Sequence, residues 1–110
     1  MNRDWSRTMD ILDAAERIAR NLPGTRAELD GNEVLEAALV RWLTVIGEAA
    51  AELSADYRMQ HPDVEWSQII GMRHRLIHDY AYVDLDVVWE AAVRDVPELA
   101  DRLRGEQGEL

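Results

Sequence analysis

Apolar side chains recur at alternating spacings of three and four along four stretches of the chain, the period of amphipathic helices rather than of half-buried strands. The first stretch predicts a helix over about 4–21, with Trp5, Thr8, Leu12, Ala15, Ala19 and Leu22 on one stripe. Leu22-Pro23-Gly24 ends it, because proline lacks the amide proton a continuing helix needs and glycine relaxes the turn. The second stretch predicts a helix over about 32–53, with Leu35, Leu39, Trp42, Ile46, Ala49 and Leu53 in a heptad-like seam. Val34, Ala38, Val40, Leu43 and Val45 widen its apolar surface well beyond that seam. A helix apolar on more than one side is buried on more than one side. The second burial is either the centre of a monomeric bundle or the face of a second subunit. A small domain gains stability from self-association, which favours the dimer.

A connector over 54–65, with His61-Pro62-Asp63 and room for one helical turn, leads to a third helix over about 66–78. Trp66, Ile69, Ile70, Arg73, Leu76, Ile77 and Tyr80 lie broadly on one side of it. A fourth helix starts near Asp84, whose carboxylate caps it, with Asp86 suited to the positive end of the helix dipole. Leu85, Val88, Trp89 and Ala92 form its buried stripe. Pro97 predicts a break or bend near Val96, followed by a short final helix with Leu99 and Leu103 and a frayed tail over 105–110. No repeat or linker divides 1–110, so one domain is expected. Short loops between amphipathic helices predict antiparallel neighbours. The fold class is therefore all-α, an antiparallel up-and-down four-helix bundle with a short extra C-terminal helix.

Composition narrows the function classes. The chain has no cysteine, which excludes disulfides and thiolate metal sites. It has no long apolar run and no opening signal pattern, so no membrane partner and a cytoplasmic location are expected. A formal net charge of −10 argues against a broad basic surface for coating nucleic acid. It leaves room for a local basic cleft. All 12 basic residues are arginine, each able to bind a phosphate bidentately.

The chemistry concentrates in Arg73-His74-Arg75-Leu76-Ile77-His78-Asp79-Tyr80, within an acid-free run from Trp66 to His78. A local positive site on a negative molecule suits a selective phosphate site. His78 could take the proton from a ribose 2′-hydroxyl, a task for a group titrating near neutrality. Arg73 could hold the scissile phosphate and stabilise its growing charge. The products would be a 2′,3′-cyclic phosphate and a 5′-hydroxyl. A histidine or arginine near a helix C-terminus can equally do no more than complement the helix dipole. On an ideal helix Arg73 and His78 point about 140° apart. Both reach one phosphate only if the helix loosens near His78 or a second subunit completes the site. His74 and His78 have the i, i+4 spacing of some zinc sites. Arg75 follows His74 where a metalloprotease helix carries glutamate, so no metal and no cofactor are expected. Arg75 either contacts RNA or pairs with carboxylates. Arg41 either lines the cleft or pairs with Glu48 or Glu36. Trp42, Trp66 and Trp89 are read as core, and His61 as a loop residue without chemistry.

Arg73-x4-His78-x-Tyr80 resembles the Arg-x4-His-x-Tyr motif of HEPN toxins of the HepT family. Trp66-Ser67-Gln68-Ile69-Ile70-Gly71-Met72 is similar to the family's lead-in to the motif, and Val83-Asp84-Leu85-Asp86-Val87-Val88-Trp89 to the segment after it. Val45-Ile46-Gly47-Glu48-Ala49 resembles the family's central helix. The resemblance implies a homodimeric helical bundle whose two motifs face each other across a cleft, acting on RNA, with tRNA a class of target. It also implies a partner, a minimal MNT-type nucleotidyltransferase (MntA), which serves as antitoxin and adds AMP units to the motif tyrosine. Carried over, Arg73 and His78 are the catalytic pair, Tyr80 is the AMPylation site, and His74 and Arg75 are RNA contacts. The expected function is a metal-independent ribonuclease toxin. The alternative is a catalytically silent HEPN module that binds a nucleotidyltransferase.

Overall fold

The computed structural model describes residues 2–79 and 82–108, and the side chains of 3–77 and 82–105. The first helix, α1 (Asn2–Asn21), stops where the proline–glycine signal places its end. Its buried face departs from the predicted stripe. Thr8, Ile11, Ala15 and Ile18 are sealed, whereas Trp5 is 57% exposed, Leu12 is half-buried and Ala19 faces outward. Two stripes at helical spacing share Thr8, Ala15 and Leu22. Packing selects the one that carries two isoleucines, whose stiff branched side chains lose little freedom on burial. Thr8 lies in that apolar surface because its hydroxyl donates to the Asp4 carbonyl at 2.8 Å and sits 3.1 Å from the Tyr57 hydroxyl.

A 3₁₀ turn (Arg26–Leu29) drops Leu29 into the core. Gly31 then takes a φ of +77°, which only a residue without Cβ adopts freely, and Asn32 caps α2 (Glu33–Ala51) by accepting from the Leu35 amide at 3.1 Å. The expected seam is present. Leu39, Ile46, Ala49 and Leu53 are buried, and Leu35 and Trp42 pack against them. Leu43, Gly47 and Ala50 add a second buried side. Arg7, near the start of α1, reaches Glu52, just past the end of α2, at 2.9 Å, so the two helices run antiparallel.

The connector supplies the expected helical turn, α3 (Ala55–Met59), capped by Ser54. The Asp4 carboxylate accepts from the Ser54 amide at 2.8 Å and from its hydroxyl at 2.7 Å, tying α1 to the cap. These bonds, the amide's first, hold the Asp4 carboxyl below the usual carboxylate range. His61 lies in a loop, as expected, but its side chain is buried, only 7% exposed. Its ring centroid is 4.6 Å from that of Tyr57, and its Nδ1 is 3.0 Å from the Tyr57 carbonyl. A carbonyl only accepts, so Nδ1 carries the proton in this contact. The Trp66 indole donates to the carbonyls of Arg58 and His61.

Beyond the connector come α4 (Trp66–Ile70), α5 (Met72–Leu76), a hairpin of β1 (Ile77–Asp79) and β2 (Tyr82–Val83), and α6 (Leu85–Glu90). The single helix expected over 66–78 is thus two short segments hinged at Gly71, with its last two residues in a strand. Asp84 caps α6 as predicted, accepting from the amides of Asp86 and Val87. Of the break or bend predicted near Val96, no interruption of the helix occurs, and the irregularity is a π turn just before it. The chain stays helical through a π turn (Ala91–Asp95) into α7 (Val96–Gly108). The Val96 amide bonds five residues back to Ala91, and this wider turn accommodates Pro97, which cannot donate and would crowd a normal α turn. The final helix also runs past the predicted fraying point to Gly108.

The principal legs are α1, α2, the α4–α5 pair and the continuous α6–α7 unit, an all-α bundle around α2. Ile11, Ile18, Leu39, Leu43, Ile46, Leu76, Val88 and Leu103 fill its core, with Trp42, Trp66 and Trp89 packed on its margin. No helix among the described residues is long and apolar enough to cross a membrane.

The α1 face makes a direct prediction. Ile18→Ala is expected to destabilise the protein by about 2–4 kcal/mol, and Trp5→Ala by less than about 1 kcal/mol, in denaturant titrations. The reverse ranking would restore the stripe read from the sequence. Because the folded Asp4 carboxyl is held below its unfolded value, its contribution is full above the ordinary carboxylate range and fades as pH falls through it. Asp4→Asn should therefore flatten the acid limb of melting temperature against pH. An unchanged acid limb would show that the Ser54 bonds add nothing.

Candidate active site

The motif segment is seated on α2 by a close approach. A Cβ on Gly47 would lie 3.1 Å from the Ile69 carbonyl oxygen and 3.6 Å from that of Ile70. Glycine in the middle of a helix of strong formers otherwise only weakens it, so its value here is the space it leaves. The end of α4 rests in that space, and Ile69, Met72 and Leu76 are buried. The corner fixes where α5 begins, and Arg73, His74 and Arg75 form its last turn.

The helix ends just before the motif histidine. Ile77 has φ −120° and ψ 109°, an extended conformation, although its amide still donates to the Arg73 carbonyl. From there β1 pairs antiparallel with β2, with Ile77 opposite Val83 and Asp79 opposite Tyr82, and a register irregularity between the two pairs. The Asp84 amide donates to the Leu76 carbonyl at 2.7 Å. That bond joins the last residue of α5 to the cap of α6, next to the pairing of Ile77 with Val83. The sequence signal of the strand pair was Ile77, Tyr82 and Val83, β-branched and aromatic residues that suit strands better than helices. The helical stripe through Ile77 and Tyr80 masked it.

The side chains divide between two flanks. Arg73 and His74 are exposed, and neither makes an ion pair or side-chain hydrogen bond among the described residues. Arg75, two residues on and about 200° around the helix, turns the other way. It donates to the Gln68 carbonyl at 3.3 Å and sits 3.7 Å from Asp95 of the π turn. One of the two roles weighed for Arg75, pairing with a carboxylate, is present. It lines a polar groove of about 370 Å³, where Arg94 also meets Asp95 and Arg102 meets Asp63. The backbone of His78 lies on β1, next to the end of α5. The His78 side chain and the whole of Tyr80 lie outside the described residues. Arg41 is exposed on α2 and pairs with neither Glu36 nor Glu48 among the described residues. It borders a surface depression shared with Val83 of β2, which places it beside the motif hairpin.

The model of the family described as "Ribonuclease HepT-like" matches residues 11–105. The chain belongs to the HepT-like ribonuclease family. Among its relatives, "Putative RNase TTE0752" of Caldanaerobacter subterraneus subsp. tengcongensis is 41% identical over 95 residues, 86% of this chain and 85% of that protein. "Putative RNase MJ1216" of Methanocaldococcus jannaschii is 40% identical over 72 residues, 66% of this chain and 60% of that protein. "Probable ribonuclease HepT" of Thermococcus cleftensis is 39% identical over 62 residues, 56% of each. No solved structure gives a significant match. Membership makes ribonuclease the class of activity for this HepT-like chain.

If the corner at Gly47 seats the motif, Gly47→Val forces a branched side chain against the α4 carbonyls. A loss of about 1–3 kcal/mol is expected, with faster amide exchange across α5. An unchanged melting temperature and exchange pattern would show that the close approach does not hold the segment.

Proposed function

We propose that this HepT-like chain is a metal-independent ribonuclease toxin that cleaves RNA, tRNA included, through its 2′-hydroxyl. The observation that carries the reading is the end of α5 at Leu76, immediately followed by extended backbone at Ile77. The loosening that Arg73 and His78 need in order to share a phosphate lies between them. Arg73, exposed and unengaged by any carboxylate among the described residues, is free to take that phosphate.

His78 acts as general base, drawing the proton from the 2′-oxygen as it attacks phosphorus. Arg73 holds the two non-bridging oxygens and offsets the charge that builds on them. The 5′-oxygen leaves and takes a proton from water, giving a 2′,3′-cyclic phosphate and a 5′-hydroxyl. DNA lacks the attacking hydroxyl and is spared. His74, exposed one position from Arg73, contacts the RNA strand. Two copies form a cytoplasmic homodimer with their motifs facing one cleft. A cognate MNT-type nucleotidyltransferase silences the toxin by transferring AMP from ATP to the Tyr80 hydroxyl, with pyrophosphate leaving, which adds negative charge and bulk where RNA must enter.

Purified protein is expected to cleave RNA in the presence of EDTA. His78→Ala should lower the rate about 10²–10⁴-fold, and Arg73→Ala about 10²–10³-fold. Expression of the wild type alone should arrest growth, and either substitution should relieve it. After co-expression with the transferase, intact mass should rise by AMP units, and Tyr80→Phe should abolish the increase. Wild-type protein that cuts no RNA and arrests no growth would leave the silent module that binds a nucleotidyltransferase.

A further inference from the structure

We propose that the outward face of α2 is the surface on which a second copy of this chain docks, antiparallel, closed by reciprocal ion pairs between Arg41 of one copy and Glu48 of the other. This rests on the homodimer proposed above and assigns the surface that forms it. The helix is packed on one side against α1 and on another against α4, α5 and α6. Its remaining face is only partly covered. Val34 is 81% exposed, and Val40, Thr44 and Val45 are only half-buried. The face stands as a ridge between two depressions of about 260 and 420 Å³, one against α1 and one bordered by Val83. A ridge flanked by two grooves is the surface that a second helix ridge packs into.

The charges on this ridge choose the partner and its direction. Arg41 and Glu48 are both exposed, and neither has an ion-pair partner among the described residues. They are seven residues apart, so they share one side of the helix about 10 Å apart along its axis. Within one copy they do not pair. A two-fold axis midway between them, near Thr44 and Val45, brings each Arg41 to the other copy's Glu48. Self-complementarity of this kind, where residue i meets j and j meets i, is what a two-fold interface requires. Parallel pairing would set arginine on arginine and glutamate on glutamate. Docking here also lays the second copy beside the hairpin that carries His78, since Val83 borders the same depression as Arg41.

The test is a charge swap read by mass in solution, for instance by sedimentation equilibrium, with circular dichroism confirming that each variant is folded. The wild type is expected to be a dimer. Arg41→Glu and Glu48→Arg should each weaken it roughly ten- to a hundredfold, because each change acts twice across the axis. The double variant should restore it. The chain has no cysteine, so Thr44→Cys gives an independent test. Oxidation should link two copies through Thr44→Cys, near the axis, and not through Ala19→Cys on the outer side of α1.

A dimeric wild type whose mass neither swap changes overturns this surface and leaves the homodimer standing. So does loss in the single variants without recovery in the double, or equal cross-linking at both cysteines. A monomeric wild type overturns both. If Arg41 instead holds RNA, Arg41→Glu lowers RNA affinity at unchanged mass and Glu48→Arg does not rescue it, which also overturns the proposal. RNA cleavage is read separately, so a dimer that fails to cleave counts against the ribonuclease reading alone.

Discussion

A helix that stops inside a fold leaves backbone carbonyls in need of donors, and here one of them organises the site. The Leu76 carbonyl at the end of α5 takes the Asp84 amide at 2.7 Å. The same residue, Asp84, spends its side chain capping α6. One residue therefore satisfies the end of one helix and begins the next. The Leu76–Asp84 clamp acts together with the pairing of Ile77 and Val83, which also pack on the core. With both, β1 and the backbone of His78 start from a fixed point next to Arg73.

That clamp is useful only because α5 itself is placed. Gly47 lets the carbonyls at the end of α4 approach α2 more closely than a side chain would permit, and Met72 and Leu76 then sink into the core. Arg75 ties the opposite flank of α5 to Asp95 in the π turn. The π turn thus has two roles. It absorbs Pro97 without breaking the long C-terminal helix, and it presents the carboxylate that engages Arg75. The two arginines of the motif segment are consequently unlike: Arg75 is bound into the structure, and Arg73 stands toward solvent.

Charge follows the same division. The protein is acidic as a whole, with most arginines neutralised locally, such as Arg7 by Glu52 and Asp10 and Arg26 by Asp30 and Asp86. These pairs raise the pKa of both guanidinium groups and fasten helix ends to one another. Being exposed, they contribute little to stability. Their consequence for function is by contrast: a cation left without a carboxylate, as Arg73 is among the described residues, stands out on a surface that otherwise repels phosphate.

The number of helical legs, the caps at Asn32 and Asp84, the central role of α2 and the motif Arg73-x4-His78-x-Tyr80 were all legible in the chain. Each is set by local periodicity, by a side chain bonding amides a few residues away, or by residue identity at fixed spacing. The stripe of α1, the hinge at Gly71, the strand at Ile77 and the π turn before Pro97 were not. Ile18 outranks Trp5 only once α1 has neighbours. Ile77 leaves the helix because Val83 and Asp84 offer its segment partners that lie apart from it in sequence. Local patterns fix what each segment can become; which of two permissible faces is buried, and where a helix yields to a strand, depends on contacts that exist only after the legs have packed.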